Sequence, residues 1–338
     1  MVKRLAAGEA PEPQELTDAF DMIFRGDASE VQIASLLVGL RVKGETPDEL
    51  AAIVRALRSA MVVLPADRPE ELVDTCGTGG GAINTFNIST AAALLIAGSG
   101  VRVAKHGNRS FTTQCGSADV LEELGVSIDA PVAVMRAALE QAGIVFMFAP
   151  LMHPAMRHVG PIRRELGIPT VMNMVGPLAN PASAGRQVVG VADARRLPLI
   201  AGALRSLETS HALVVHGSGM DEISPFGETD VVEVRGGTIS EWVIDPNRYG
   251  FGEGTPADIA GGSRADNAAT VTRVLRGDGN PSATAAVVLN AAAAFYVSGR
   301  VADFDEGVDA GRAAVASGAG LVALERLRAA FSKRQSES

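Results

Sequence analysis

Apolar positions in the first sixty residues recur at helical spacing. Leu16, Phe20, Ile23 and Phe24 mark one face of a first helix. Asp27 with Glu30 three residues later reads as a capping box, ahead of a stripe of Val31, Ala34, Leu37 and Val38. Thr46-Pro47-Asp48-Glu49 supplies an N-cap, a proline in the first turn and a glutamate at N3, predicting a helix to about Met61. Residues 64–69 read as a linker. From residue 71 the period changes. A short strand is expected at 72–75, a Gly-rich loop at 77–81, a helix at 89–97 and a strand at 101–104. That is a strand–loop–helix–strand unit with a parallel crossover. Further strands are expected at 144–148, 187–191 and 212–215, and a hairpin over 230–243 turning at Gly236-Gly237. From Ser263 onward the pattern is helical and Ala-rich.

Composition narrows the class. The chain has 338 residues, 47% hydrophobic and 20% charged, enough for a packed core and one or two domains. A net charge of -9 without a Lys/Arg run excludes the usual electrostatic footprint of duplex binding, so no nucleic-acid partner is expected. Cys76 and Cys115 are too few for a disulfide scaffold, and the segment after Met1 has no apolar signal core; a cytoplasmic location is expected. The longest apolar run, 284–297, is interrupted by Asn290 and falls short of the ~18 residues of a membrane span.

Four segments carry chemistry. Asp74-Thr-Cys-Gly77-Thr-Gly-Gly80-Gly81 follows a strand, where glycines let backbone N–H groups close on an anion; no Lys-Ser/Thr follows at Walker spacing. Asn87-Ile88-Ser89-Thr90 opens the next helix, its hydroxyls placed either to cap it or to bind phosphate or magnesium. Lys105-His106-Gly107-Asn108-Arg109-Ser110 reads as a loop after the second strand, with two fixed cations, and His106 as a candidate third, at the C-terminal edge of a parallel sheet. Asp221-Glu222 follows an apolar strand, and adjacent carboxylates there suit magnesium shared with phosphate oxygens. His153-Pro154 and Arg163-Arg164 add a weaker signal, either helix-surface residues or a grip on a carboxylate. The two cysteines read as packing residues, and Trp242 falls in the hairpin.

Together these segments resemble the anthranilate phosphoribosyltransferase family, with Gly116-Ser-Ala-Asp119 and Gly176-Pro177-Leu178 in the same order. The resemblance spans about residues 15–330 and is strongest over 74–181. It implies an α/β fold: a helical domain over 1–68, completed by helices from about 155–180, and a larger domain over 70–330 with a mostly parallel sheet. It implies a homodimer and a magnesium-dependent transfer from 5-phosphoribosyl 1-diphosphate (PRPP) to anthranilate in tryptophan biosynthesis. Carried over by residue, Gly77, Gly80, Gly81, Thr85, Asn87, Ile88, Ser89 and Thr90 cradle the donor. Lys105, His106, Gly107, Asn108, Arg109, Ser110, Phe111, Thr112, Thr113 and Ser117 line its diphosphate and phosphate. Gly77, Asn108, His153 and Arg163 face anthranilate; Ser89, Asp221 and Glu222 hold magnesium, two ions per site; Lys105 and Arg109 are the catalytic cations.

The chain departs from the family pattern at several places. Gly81 stands where an Asp is common, Gln114 where a Lys is, Pro169 for a frequent Arg and Met172 for a frequent Phe, and the turn before Asp221 is one residue short. A pyrimidine nucleoside phosphorylase shares the architecture, but phosphorolysis has no use for Asn87-Ile-Ser-Thr90 with Asp221-Glu222. A nucleic-acid-binding relative would need a basic surface that is absent from this composition.

Overall fold

The computed structural model describes residues 1–110 and 114–332; Phe111, Thr112 and Thr113 lie outside the described residues. Four helices come first: α1 (Val2–Ala6), α2 (Pro13–Arg25), α3 (Glu30–Lys43) and α4 (Pro47–Ser59). At α4 the Thr46 hydroxyl accepts from the Glu49 N–H while the Glu49 carboxylate accepts from the Thr46 N–H. The box ahead of α3 is not the expected one. Ser29 and Gln32 exchange those bonds, because the Asp27 carboxylate is turned back to Arg25. The inner face of α3 is Ile33, Leu36, Leu37 and Leu40; Val31 and Val42 point outward, 75% and 81% exposed.

Seven strands form one sheet: β1 (Val73–Gly77), β2 (Val103–Gly107), β3 (Ile144–Phe148), β4 (Arg186–Gly190), β5 (His211–Gly217), β6 (Thr229–Arg235) and β7 (Thr238–Ile244). Their order is β3-β2-β1-β4-β5-β6-β7. The first five are parallel, and β6 and β7 add the expected antiparallel hairpin. One boundary matters for function. Residues 103–107 pair with 144–148 in register, so Lys105, His106 and Gly107 belong to a central strand, not to the loop the sequence suggested.

The remaining helices are α5 (Ile88–Gly98), α6 (Ser117–Glu123), α7 (Val132–Ala142), α8 (Ala149–Met152), α9 (Gly160–Leu166), α10 (Met172–Leu178), α11 (Leu197–Ser206), α12 (Arg264–Arg276), α13 (Pro281–Ser298), α14 (Phe304–Ala316) and α15 (Ala319–Ser332). Strand alternation divides the core in two. Val188, Leu213 and Val215 face a core built with α5, α7 and α12 to α15. Val189, Ala212 and Val214 face a second core containing α2 to α4, α9, α10 and α11. Through α9 and α10 the middle of the chain therefore packs with its beginning. The sequence underestimated α13. It has 18 residues and, by length and composition alone, would cross a membrane; 78% of it is buried within the protein.

Candidate functional site

The strand order reverses direction at β1. From β1 the chain runs through α5 to β2 on one side, while β4, reached much later, pairs on the other. Loops leaving β1 and β4 thus part, opening a crevice at the C-terminal ends of the strands. The last residues of these two strands, Gly77 and Gly190, are register partners.

Asp221 and Glu222 are brought into this crevice by close backbone approach. A Cβ on Gly190 would lie 1.7 Å from the Asp221 carbonyl oxygen, and one on Gly217 2.4 Å from that of Glu222. The segment after β5 can fold down over the strand ends only because no side chain stands there. Asp221 then accepts a hydrogen bond from the Gly79 N–H at 2.7 Å, and Glu222 one from the Ser89 N–H at 3.2 Å. Asn290 clamps the next residue: its side chain accepts from Ile223 N and donates to Ile223 O, both at 3.1 Å. The polar break in the apolar run at 284–297 is thus a support for the acidic loop.

Lys105 completes the group. Its ammonium donates to the Thr75 carbonyl and lies 3.3 Å from the Ser89 hydroxyl. Burial lowers its pKa, and the Asp74 carboxylate opposes that shift. Burial pushes Glu222 up to about 8, helped by the adjacent Asp221, and raises Asp221 too. Two adjacent half-buried carboxylates with one buried ammonium are under-compensated, which is the chemistry of a cation site. A magnesium ion takes few protein carboxylates and keeps positions for water and phosphate, so this pair with the Ser89 hydroxyl fits it. Among the described residues no group of three or more His, Cys, Asp or Glu forms a self-sufficient metal cage.

The rest of the predicted donor residues surround this group. Thr85 is fixed by an isolated bridge to Ala260. Asn87 precedes α5, yet its side chain does not cap the helix; it donates to Cys115 O at 3.3 Å and accepts from Asn267 Nδ2 at 2.9 Å. Ile88 is wholly buried. Thr90 is buried too, and its hydroxyl has no hydrogen-bond partner among the described residues. Gly80 and Gly81 continue the loop from β1. A Cβ on Gly81 would come 3.1 Å from Gly219 O, a tight contact with the turn before Asp221. A Cβ on Gly107 would lie 2.2 Å from the Ser117 hydroxyl, which donates to Asn108 O at 3.2 Å. Arg109, the second expected catalytic cation, is bound to Asp119 and Glu122. Ser110 donates from its backbone to Asp119 at 3.4 Å.

His153 meets His106, their ring centres 4.9 Å apart. Burial depresses both, to about 4 for His153 and about 3 for His106, so neither is a cation at neutral pH. His106 is thus a neutral ring in the core, not the third cation that its sequence neighbours suggested. Arg163, on α9, is half-buried, which lowers its pKa, and it has no carboxylate partner among the described residues. No described hydrogen bond or ion pair ties it to the donor loops. Both thiols are held protonated by burial, Cys115 up to about 11, so neither is a nucleophile. Sequence reasoning named Asp74 at the head of the Gly-rich motif without giving it a role, and missed Asn180 and Asn267. Asp74 is buried, accepts from His106 N at 3.2 Å and Asn180 Nδ2 at 2.7 Å, and so pins the end of β2 to the connection after α10.

Comparison with known proteins identifies the arrangement. Residues 69–321 match the glycosyl transferase family α/β domain, and residues 1–61 the helical bundle domain of the same family. Anthranilate phosphoribosyltransferase of Methanosphaerula palustris is 46% identical over 96% of this chain and 96% of its own. The chain belongs to the anthranilate phosphoribosyltransferase family. The Thermus thermophilus member superposes with a TM-score of 0.92 at 42% identity, covering 98% of each chain. The Saccharomyces cerevisiae member, solved in complex with PRPP and Mg, gives a TM-score of 0.88 at 27% identity over 98% of this chain and 96% of its own. The helical domain plus α/β domain expected from the sequence is the fold of these anthranilate phosphoribosyltransferases.

Proposed function

We propose that the chain transfers the phosphoribosyl group of PRPP to the amine of anthranilate, giving N-(5-phosphoribosyl)anthranilate and diphosphate in tryptophan biosynthesis. The observation that carries this reading is the Asp221–Glu222 pair, lowered onto the ends of β1 and β4 beside Lys105, in a chain 46% identical to a relative of that name.

The residues divide the work. Gly77, Gly80, Gly81, Thr85 and Asn87 to Thr90 hold the donor through backbone N–H groups and hydroxyls. Lys105, Arg109 and residues 107–113 with Ser117 stabilise charge growing on the departing diphosphate. Ser89, Asp221 and Glu222 would hold magnesium, two ions per site. When bound, magnesium supplies further neutralisation of the leaving diphosphate. Asn108, His153 and Arg163 align anthranilate, Arg163 through its guanidinium. The amine is neutral and nucleophilic, so no strong base is assigned; alignment of the two substrates is the main task. Enclosure of the crevice between the helical and α/β parts keeps water from the donor. The proposed boundaries remain 1–68 and 70–330, with the helices of 155–180 joining the first.

A homodimer through the first helices fits the uncovered apolar face of α3. Val31 and Val42 lie eleven residues apart on one side, exposed. The cytoplasm is the proposed location. Chromatography of a mixture of protein, PRPP, anthranilate and magnesium tests the reaction. Phosphoribosyl-anthranilate that disappears with EDTA is expected; folded, donor-binding protein that makes none would mean that the acceptor is something else, with Pro169 and Met172 the first residues to test.

A further inference from the structure

Arg109 and Arg264 reach one acidic pair from two separate segments of the chain. Arg109 lies just beyond β2, and Arg264 is the first residue of α12. Between them, Asp119 and Glu122 stand three residues apart on one face of α6. The Arg109 guanidinium lies 2.7 Å from Asp119 Oδ1 and 2.5 Å from Glu122 Oε2. Arg264 reaches the same two oxygens, at 2.6 Å and 3.7 Å. Asp119 cannot follow either arginine far. Asp119 is buried, and its other oxygen accepts from the backbone of Gly116 at 2.9 Å and of Ser110 at 3.4 Å. The arginine side chains are 39% and 49% exposed, and are the movable partners.

The cluster is neutral as it stands, with two cations on two carboxylates. When Arg109 turns toward a polyanionic donor, Asp119 and Glu122 retain a counter-charge only through Arg264. Without Arg264 the move would leave two bare carboxylates beside a polyanion, and the acids would hold Arg109 back. The first turn of α12 serves the donor loops at a second point. Asn267, three residues after Arg264, donates to the Asn87 side chain at 2.9 Å.

We propose that Arg264 is a positioning residue that governs donor binding by releasing Arg109 from Asp119 and Glu122. The proposal rests on the reading of Arg109 as a donor-binding cation. The test is a double-mutant cycle with PRPP as the varied substrate: R264A, R109A and R109A/R264A, with R264K as the charge-conserving control. R264A is expected to raise the KM for PRPP about threefold to tenfold, the size of a partly exposed ion-pair effect. Its kcat and its KM for anthranilate should stay within about twofold, and R264K should recover most of the loss. R109A should raise the same KM, and adding R264A to it should change nothing further. If R264A raises KM by the same factor with or without Arg109, it acts as a general positive charge and the proposal is overturned. An unchanged KM in R264A overturns it while leaving the role of Arg109 intact. An unchanged KM in R109A removes that role and this proposal with it. Should R264A fail to fold, R264Q takes its place in the same cycle.

Discussion

Gly190 lies directly beneath the Asp221 carbonyl, with no room between them for a methyl group. The opposing atom is backbone, on a segment held from behind by Asn290. Gly190→Ala should therefore lift the acidic loop off the strand ends. Expected is a loss of stability of about 1–3 kcal/mol with a much larger loss of magnesium-dependent turnover. Thermal melts and kcat/KM on the same sample check it; full activity in G190A would mean that the loop position is not needed.

Asn290 is the mirror of that contact. Asn290→Ala leaves the N–H and C=O of Ile223 buried and unpaired, at a cost of roughly 1–3 kcal/mol for each group. Denaturant titration should show the drop, and added magnesium with PRPP should recover part of it by binding the native state.

Lys105→Ala removes the only ammonium within reach of Ser89 and Thr75 among the described residues. Turnover should fall by about a hundredfold or more, in keeping with loss of a group aimed at developing charge. Full turnover in this variant would refute the leaving-group role. Glu222→Gln should show a comparable loss, and its melting temperature should no longer rise with magnesium.

Arg163→Ala should act on one substrate alone. Loss of a half-buried guanidinium without a carboxylate partner among the described residues should raise the KM for anthranilate by about tenfold or more while that for PRPP stays nearly constant. Equal effects on both would point to a folding role for α9.

The His106–His153 pair sets a pH dependence. Their folded pKa values, about 3 and about 4, lie below the unfolded value near 6.5. The unfolded chain thus binds protons first on acidification. Their stabilisation is present above pH ~6.5 and is lost as pH falls toward 3–4. Asp74, raised by burial to about 6, has the opposite sign: its contribution declines as pH rises from ~3.8 to about 6. Glu222, raised by burial to about 8, shares the sign of Asp74, so the acid loss due to the histidine pair is read as the difference between the protein and a variant. His153→Gln should reduce that loss, measured as melting temperature between pH 4 and 7. A steeper acid loss in the variant would contradict the assignment.

Much of this was written into the sequence. Thr46-Pro47-Asp48-Glu49 fixed the start of α4 because capping is local chemistry among four residues. The switch in period at residue 71, the Gly-rich turn and the double glycine at 236–237 likewise announced strands, loop and hairpin. The motif set named the family before any coordinate did. What tertiary structure decided were the relations between distant segments. The side chains of Lys105 and His106 are buried because β2 pairs with β3 through residue 107, and a strand's length depends on its neighbour, not on its own residues. Asn290 reads as a flaw in an apolar helix until Ile223 is seen opposite it. Glycines 190 and 217 carry no signal of their own; they matter because a loop from elsewhere in the chain must pass over them. Burial, pairing and close approach are properties of two surfaces meeting, and a single stretch of sequence contains only one of them.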